Sequence, residues 1–327
     1  VIHTEATAPA APRRFDVCNG DADGLCAVLQ WRLAEPAPST LVTGLKREIE
    51  LLHRVPVDGA DEVLVCDLSL ERNRAALERL LAHGVHVRYF DHHQAAQVPD
   101  HPGLDAHLDA GADVCTSVLV DRHLGGRFRR WAAVGAYGDN LVATGEALAA
   151  SLGLDAGPRD ALRRLGEAIN YNAYGEQADD VCLAPERLYG LMSRYVDPLR
   201  MAEVEPVVDE IVRRRRSDLL QAGALGPHWQ GPHGRVTVLP DAPWSRRVFG
   251  SLANELANAR PLEAQAVLRP IADGGFTVSV RAPRAAPHGA AEFCAQFGGG
   301  GRAAAGGIDR LPAGALGPFV EAFAAAW

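Results

Sequence analysis

Residues 15–24 read FDVCNGDADG, a short apolar run that stops at a turn and delivers two aspartates, Asp21 and Asp23, just before the helical run GLCAVLQWRLAE. The same punctuation recurs. EVLVC ends at Asp67 before RAALERLLAHG, and VHVRYF ends at Asp91, His92 and His93. Between them lie the strand-like TLVTG and a helical turn expected over residues 49–53. Short β-rich runs alternating with helical runs predict a doubly wound, mostly parallel sheet. In such a sheet, ligands bind beyond the carboxyl ends of the strands. The acids and histidines therefore should meet along one edge.

An aspartate after a strand usually serves as a helix cap or turn residue. Three strand ends delivering Asp21, Asp23, Asp67, His92 and His93, with Asp139 returned by the helical segment that follows, make a different pattern. Carboxylates with imidazole suit a hard cation, Mn²⁺ or Mg²⁺. Two such ions about 3.5–4 Å apart would activate water and neutralise phosphoryl oxygens. Asp67, the central acid, is placed to bridge them.

The 327 residues are 47% hydrophobic and 23% charged, enough apolar content for two cores. Six scattered cysteines form no CxxC pair, which fits a reduced, cytoplasmic setting. A net charge of −8 argues against tight tracking of long duplex DNA, because that binding rests on neutralising many phosphates. No apolar stretch is long enough for a membrane span or signal peptide.

The expected organisation is a flexible tail over residues 1–13 and a catalytic domain over 14–197, helical from about 113 onward. A linker helix covers 198–225, and a smaller α/β domain covers 226–327. In that last domain the segment FGGGGRAAAGG at 297–307 places Gly299, Gly300 and Gly301 where main-chain N–H groups can face an anion. VSVRAP sets Arg281 at a strand end. Lys46 and Arg47 follow TLVTG on the presumed active edge, and ordinary helix-opening charges explain them equally well. The cluster Asn170, Tyr171, Asn172 and Tyr174 suits either base stacking or a helix end.

NGDADG at 19–24, VLVCD ending at Asp67, YFDHH ending at His93 and GDN at 138–140 resemble, in order and spacing, the four motifs of the DHH phosphoesterases. That family includes single-strand exonucleases, oligoribonucleases, cyclic-dinucleotide phosphodiesterases and manganese-dependent pyrophosphatases. The resemblance implies that Asp21, Asp23, Asp67, His92 and Asp139 ligate metal, that Asp67 bridges, and that His93 contacts the scissile phosphate. The family's first motif carries a histidine that is missing here. Val17 and Asn19 hold the candidate positions, so the Asn19 carbonyl would be a weak substitute ligand and one of the two sites would be weakened. The glycine-rich segment resembles the DHHA1 signature, with Arg302 where a histidine is usual, and Arg281 matches a phosphate-contacting arginine.

The implied activity is hydrolysis of short oligonucleotides or single-stranded nucleic-acid ends to mononucleotides, in a cleft between the two domains. A homodimer is compatible with the sequence. The rivals are a nucleotide monophosphoesterase, a pyrophosphatase, and a nucleotide-binding protein that has lost turnover.

Overall fold

A computed structural model describes residues 11–272 and 274–327, so the expected tail lies outside the described residues except for its last three. The chain divides into two compact units. One holds residues up to 167 together with 185–203, and the other holds 168–184 with 204–327.

The first unit is built on a five-stranded, all-parallel sheet in the order β2-β1-β3-β4-β5. Its elements run β1 (Arg14–Cys18), α1 (Ala22–Ala34), β2 (Thr40–Val42), β3 (Glu62–Cys66), α2 (Leu70–Ala82), β4 (His86–Asp91) and β5 (Leu104–Leu108). The helices α3 (Thr116–His123), α4 (Arg129–Gly138), α5 (Val142–Ser151), α6 (Ala156–Ala173), α7 (Pro185–Met192) and α8 (Pro198–Val204) follow. Val17, Val63, Val65 and Val87 are buried, as expected of parallel strands covered on both faces. α1 is buried from Ala22 to Trp31 and packs on α3 and α4, which explains why it is apolar all round. α2 is one-sided: Leu70, Leu77, Leu80 and Leu81 face the sheet and charged residues face outward.

The strand order reverses between β1 and β3, which places a crevice at their carboxyl ends. The expected helix at 49–53 is a 3-10 turn, Leu51–Arg54. β5 is an addition to the expected strands, its LDAHL being half polar.

The second unit has a six-stranded mixed sheet in the order β10-β11-β9-β8-β7-β6. Its elements are α9 (Pro206–Gly223), β6 (Trp229–Gln230), β7 (Gly234–Val238), α10 (Pro243–Ala259), β8 (Ala264–Pro270), β9 (Phe276–Arg281), α11 (Ala290–Ala295), β10 (Gly300–Arg302), β11 (Ala305–Leu311) and α12 (Leu316–Ala326). Among the described residues only the β7–β8 pair, joined by α10, is parallel in this sheet. Val236, Leu268, Val278, Phe293, Ile308, Phe319 and Phe323 form the core on one face. Leu252 and Phe249 of α10 and Ile211 of α9 join the core that includes Val267.

The expected division at 197 and 225 differs from this partition. Pro206, with no N–H to donate, starts a new helix, so the linker is two helices, and residues 168–184 belong with the second unit. The reason is a buried triad. Tyr171 Oη donates to Asp218 Oδ2 at 2.6 Å, and Arg247 Nε donates to the same oxygen at 2.7 Å. Tyr171 is fully buried, and Asn172 accepts the Cys182 and Leu183 amides, so these two residues brace the fold and offer no stacking surface.

Candidate metal centre

The loop after β1 positions Asp21 and Asp23. Asp21 caps α1, its Oδ1 accepting the Gly24 N–H at 3.0 Å, while its Oδ2 is ion-paired with the Lys46 ammonium. Burial would raise the Asp21 pKa, but the charge and hydrogen bond of Lys46, helped by the Gly24 N–H, leave it lowered. Asp23 reaches from α1 to the start of α3, where Thr116 N–H donates to Oδ2 and Ser117 N–H to Oδ1, both at 2.7 Å.

Asp67 follows β3 with φ 58°, a left-handed conformation uncommon outside glycine and better tolerated by Asp than by most residues. Its N–H extends the ladder to the Phe90 carbonyl at 3.0 Å while its carboxylate turns into the crevice. There it lies 3.3 Å from His92 Nε2 and accepts the Thr116 hydroxyl at 3.4 Å. Burial, then the charges of Asp21 and Asp23, push the Asp67 carboxyl up. His92 faces the Val114 carbonyl through Nδ1 at 3.0 Å and lies 3.9 Å from both Asp23 Oδ2 and Asp139 Oδ2. Burial opposes its charged form, yet Asp139 and Asp67 raise its pKa. His93 is held differently: Nδ1 meets the fully buried Asp91 at 2.6 Å, leaving the ring 42% exposed. Burial works against its charge too, and Asp91 raises the pKa.

Among the described residues, Asp67, His92 and His93 offer ligand atoms that all lie within 4.8 Å of one another. A buried carboxylate held among other acids, beside imidazoles, is a donor set that fits a hard divalent cation. With Nδ1 of His92 on a backbone carbonyl, Nε2 would be the nitrogen to ligate a metal, the usual arrangement of a ligating histidine. Asp139, at the end of α4, stands on the His92 side. Asp21 and Asp23 share the crevice, but the amides and Lys46 engage their oxygens. Asn19 is further removed from a ligand role: its Oδ1 accepts the Asp21 N–H at 3.3 Å and its Nδ2 donates to the Lys46 carbonyl at 3.2 Å, so its amide braces the loop. Lys46 and Thr116 join the site on structural grounds. The first is visible in the sequence only as a cation after β2, and the second gives no signal there.

A groove of about 760 Å³ opens at the opposite, amino-terminal edge of the sheet, lined in part by Arg14, Arg32 and Arg88. Each of these is paired, with Glu62, Asp16 and Asp105, so the groove offers little net charge to an anion.

In the second unit, the glycine-rich segment is not an open anion loop. Gly300–Arg302 form the edge strand β10, paired antiparallel with β11. A Cβ on Gly299 would fall 2.2 Å from the Gly307 carbonyl, and Gly301 has φ 145°, so the glycines permit close strand approach. Gly300 faces open space. Arg302 pairs across the ladder with Ala305, which pairs with Arg281, so the two arginines share one face of the sheet, flanking a small residue. Arg281 is held by Asn254 Oδ1 and Ser279 Oγ, each at 2.8 Å.

No protein-family model matches the chain, and no curated protein sequence does. Solved structures do. The manganese-bound exonuclease RecJ is similar over 96% of this chain and 90% of its own, with 21% identity and a TM-score of 0.61. The DHH domain of a member of a ribosomal protein family matches over 96% and 86%, with 17% identity and a TM-score of 0.68. The pGpG-specific phosphodiesterase PggH from Vibrio cholerae matches over 96% and 98%, with 15% identity and a TM-score of 0.50. With its all-parallel first sheet and its mixed second sheet, the chain has the fold of the DHH/DHHA1 phosphoesterases.

Proposed function

We propose that the chain is a divalent-metal-dependent phosphodiesterase that hydrolyses short oligonucleotides or single-stranded nucleic-acid ends to mononucleotides. The observation that carries this reading is the convergence of Asp67, His92 and His93 at the carboxyl edge of a parallel sheet, with ligand atoms within 4.8 Å. Asp67 and His92 would hold Mn²⁺ or Mg²⁺, with Asp139 in support and His93 beside them turned to the phosphate. Such an ion supplies a polarised phosphoryl oxygen and a more acidic water.

The protein groups do the rest. Asp91 fixes the His93 ring by taking Nδ1, which leaves Nε2 free to donate to a non-bridging oxygen as charge builds on it. The Thr116 hydroxyl steadies the Asp67 carboxylate. Water attacks phosphorus, the bond to the leaving nucleoside oxygen breaks, and that oxygen takes up a proton; no covalent enzyme intermediate is needed. Arg281 and Arg302, on their shared face of the second unit's sheet, suit phosphate groups of a nucleotide, since guanidinium matches phosphate oxygens in pairs. The net charge of −8 favours small substrates over long duplexes.

The test is release of mononucleotides from labelled RNA and DNA oligomers of two to five residues in Mn²⁺, Mg²⁺ or chelator. Cleavage that needs metal and is lost in Asp67→Asn is expected. Folded protein that binds these oligomers without cutting any of them would overturn the assignment.

A further inference from the structure

The crevice holds a second cation of the protein's own making. Lys46 comes from the turn after β2, and its ammonium is docked on Asp21 Oδ2, on the same side of the sheet as Asp67. The turn is built for this placement. Glu48 Oε2 accepts the Leu45 N–H at 2.7 Å, and the Lys46 carbonyl takes the Asn19 amide. Gly20 lets the two loops touch: a Cβ there would fall 2.0 Å from the Gly44 carbonyl. Lys46 also keeps 26% of its side-chain surface exposed.

The oxygens around it are already engaged. Asp21 gives Oδ1 to Gly24 and Oδ2 to Lys46, and Asp23 gives both oxygens to the α3 amides. The group that brings ligand atoms together is Asp67, His92 and His93. We infer that the Lys46 ammonium fills the second cation position, so that this centre holds one divalent ion and one lysine instead of two ions. Lysine is a compact point charge with three donors, able to hold Asp21 and a substrate phosphoryl oxygen together. The inference rests on the metal-centre reading above and refines it.

The experiment is a count of bound Mn²⁺ per chain, from the free-ion electron paramagnetic resonance signal during titration and from elemental analysis of the dialysed protein. The wild type, Lys46→Gln, Lys46→Arg and Asp21→Asn are compared, each checked for native circular dichroism. The expected result is one ion for wild type, Lys46→Arg and Asp21→Asn, and a second, weaker ion in Lys46→Gln, where Asp21 is released. Asp21→Asn keeps the test decisive if Lys46→Gln does not fold, because asparagine still caps α1. Two ions in the wild type, loss of the ion in Asp21→Asn, or a folded Lys46→Gln that stays at one ion would each overturn the lysine assignment. No ion bound by any variant would instead remove the metal-centre reading beneath it.

Discussion

Thr116 and Asp23 meet across 93 residues of chain, the Thr116 N–H donating to a carboxylate oxygen at 2.7 Å in a fully buried setting. With Ser117 N–H on the other oxygen, Asp23 serves as the cap that α3 lacks from its own flanking residue, Cys115. Asp23→Ala would leave two buried amides without their charged acceptor. Each such bond contributes about 1.5 kcal/mol or more, so we expect a loss of about 3 kcal/mol, and roughly half of that in Asp23→Asn. Urea unfolding in chelator measures this apart from any effect on metal.

Asp67 is expected to trade stability for function. Burial and the charges of Asp21 and Asp23 raise its pKa above the unfolded value, so its charged form disfavours the fold at neutral pH. Asp67→Asn, which keeps a residue tolerant of φ 58°, should melt no lower than wild type in chelator. Mn²⁺ at about 100 times its Kd should stabilise the wild type by about 2.7 kcal/mol and leave the variant unmoved. Thermal melts with and without Mn²⁺ distinguish the two.

Asp180 gives a pH signature in the second unit. Burial alone would raise its pKa, but the Glu176 and Gln177 amides and the Arg246 guanidinium hold it below the usual carboxylate range. A lowered folded pKa adds stability that is complete above the unfolded value, about 3.9, and is lost as pH falls through the folded one. Urea midpoints of wild type and Asp180→Asn should therefore differ above about pH 5 and converge in stronger acid. A constant gap across that range would refute the assignment.

The Tyr171, Asp218 and Arg247 triad should be costly to break from one side. Arg247→Leu leaves Asp218, only 3% exposed, with Tyr171 as its remaining partner in the triad. A loss of about 3–5 kcal/mol is expected, against about 1 kcal/mol for Tyr171→Phe. Denaturant midpoints of the two variants test the order.

Arg281→Ala should raise KM for a short oligonucleotide by about tenfold with kcat little changed, the loss of one charge-assisted phosphate contact. Steady-state kinetics on a labelled trinucleotide would show it. An equal fall in kcat would place Arg281 in the chemistry itself.

The chain shows unequally in its sequence. β1, β3 and β4 are legible because their apolar residues come in short β-rich runs that end abruptly at a turn or an acid, and that same cut-off exposes Asp21, Asp23, Asp67, His92 and His93. β5 is not, since LDAHL sits at a sheet edge, partly exposed, where no apolar run is required. The glycines at 299–301 read as an anion loop because glycine carries no record of its strand partner, and here that partner is β11. Tyr171 is open to two readings because its partner, Asp218, lies 47 residues away. Lys46 stands out as a charge, but only the apposition of Gly20 and Gly44 reveals which acid it meets.

The parallel sheet also sets the order in which this protein can become functional. Parallel neighbours cannot be joined by a tight hairpin, so β1 must wait for β3, and Asp23 must wait for residues 116 and 117. Contacts of such sequence separation cost loop-closure entropy before they are rewarded, which slows folding. Asp23, near the start of the described chain, should therefore be among the last acids to reach its final place, and refolding should restore helical signal well before it restores an intact metal centre.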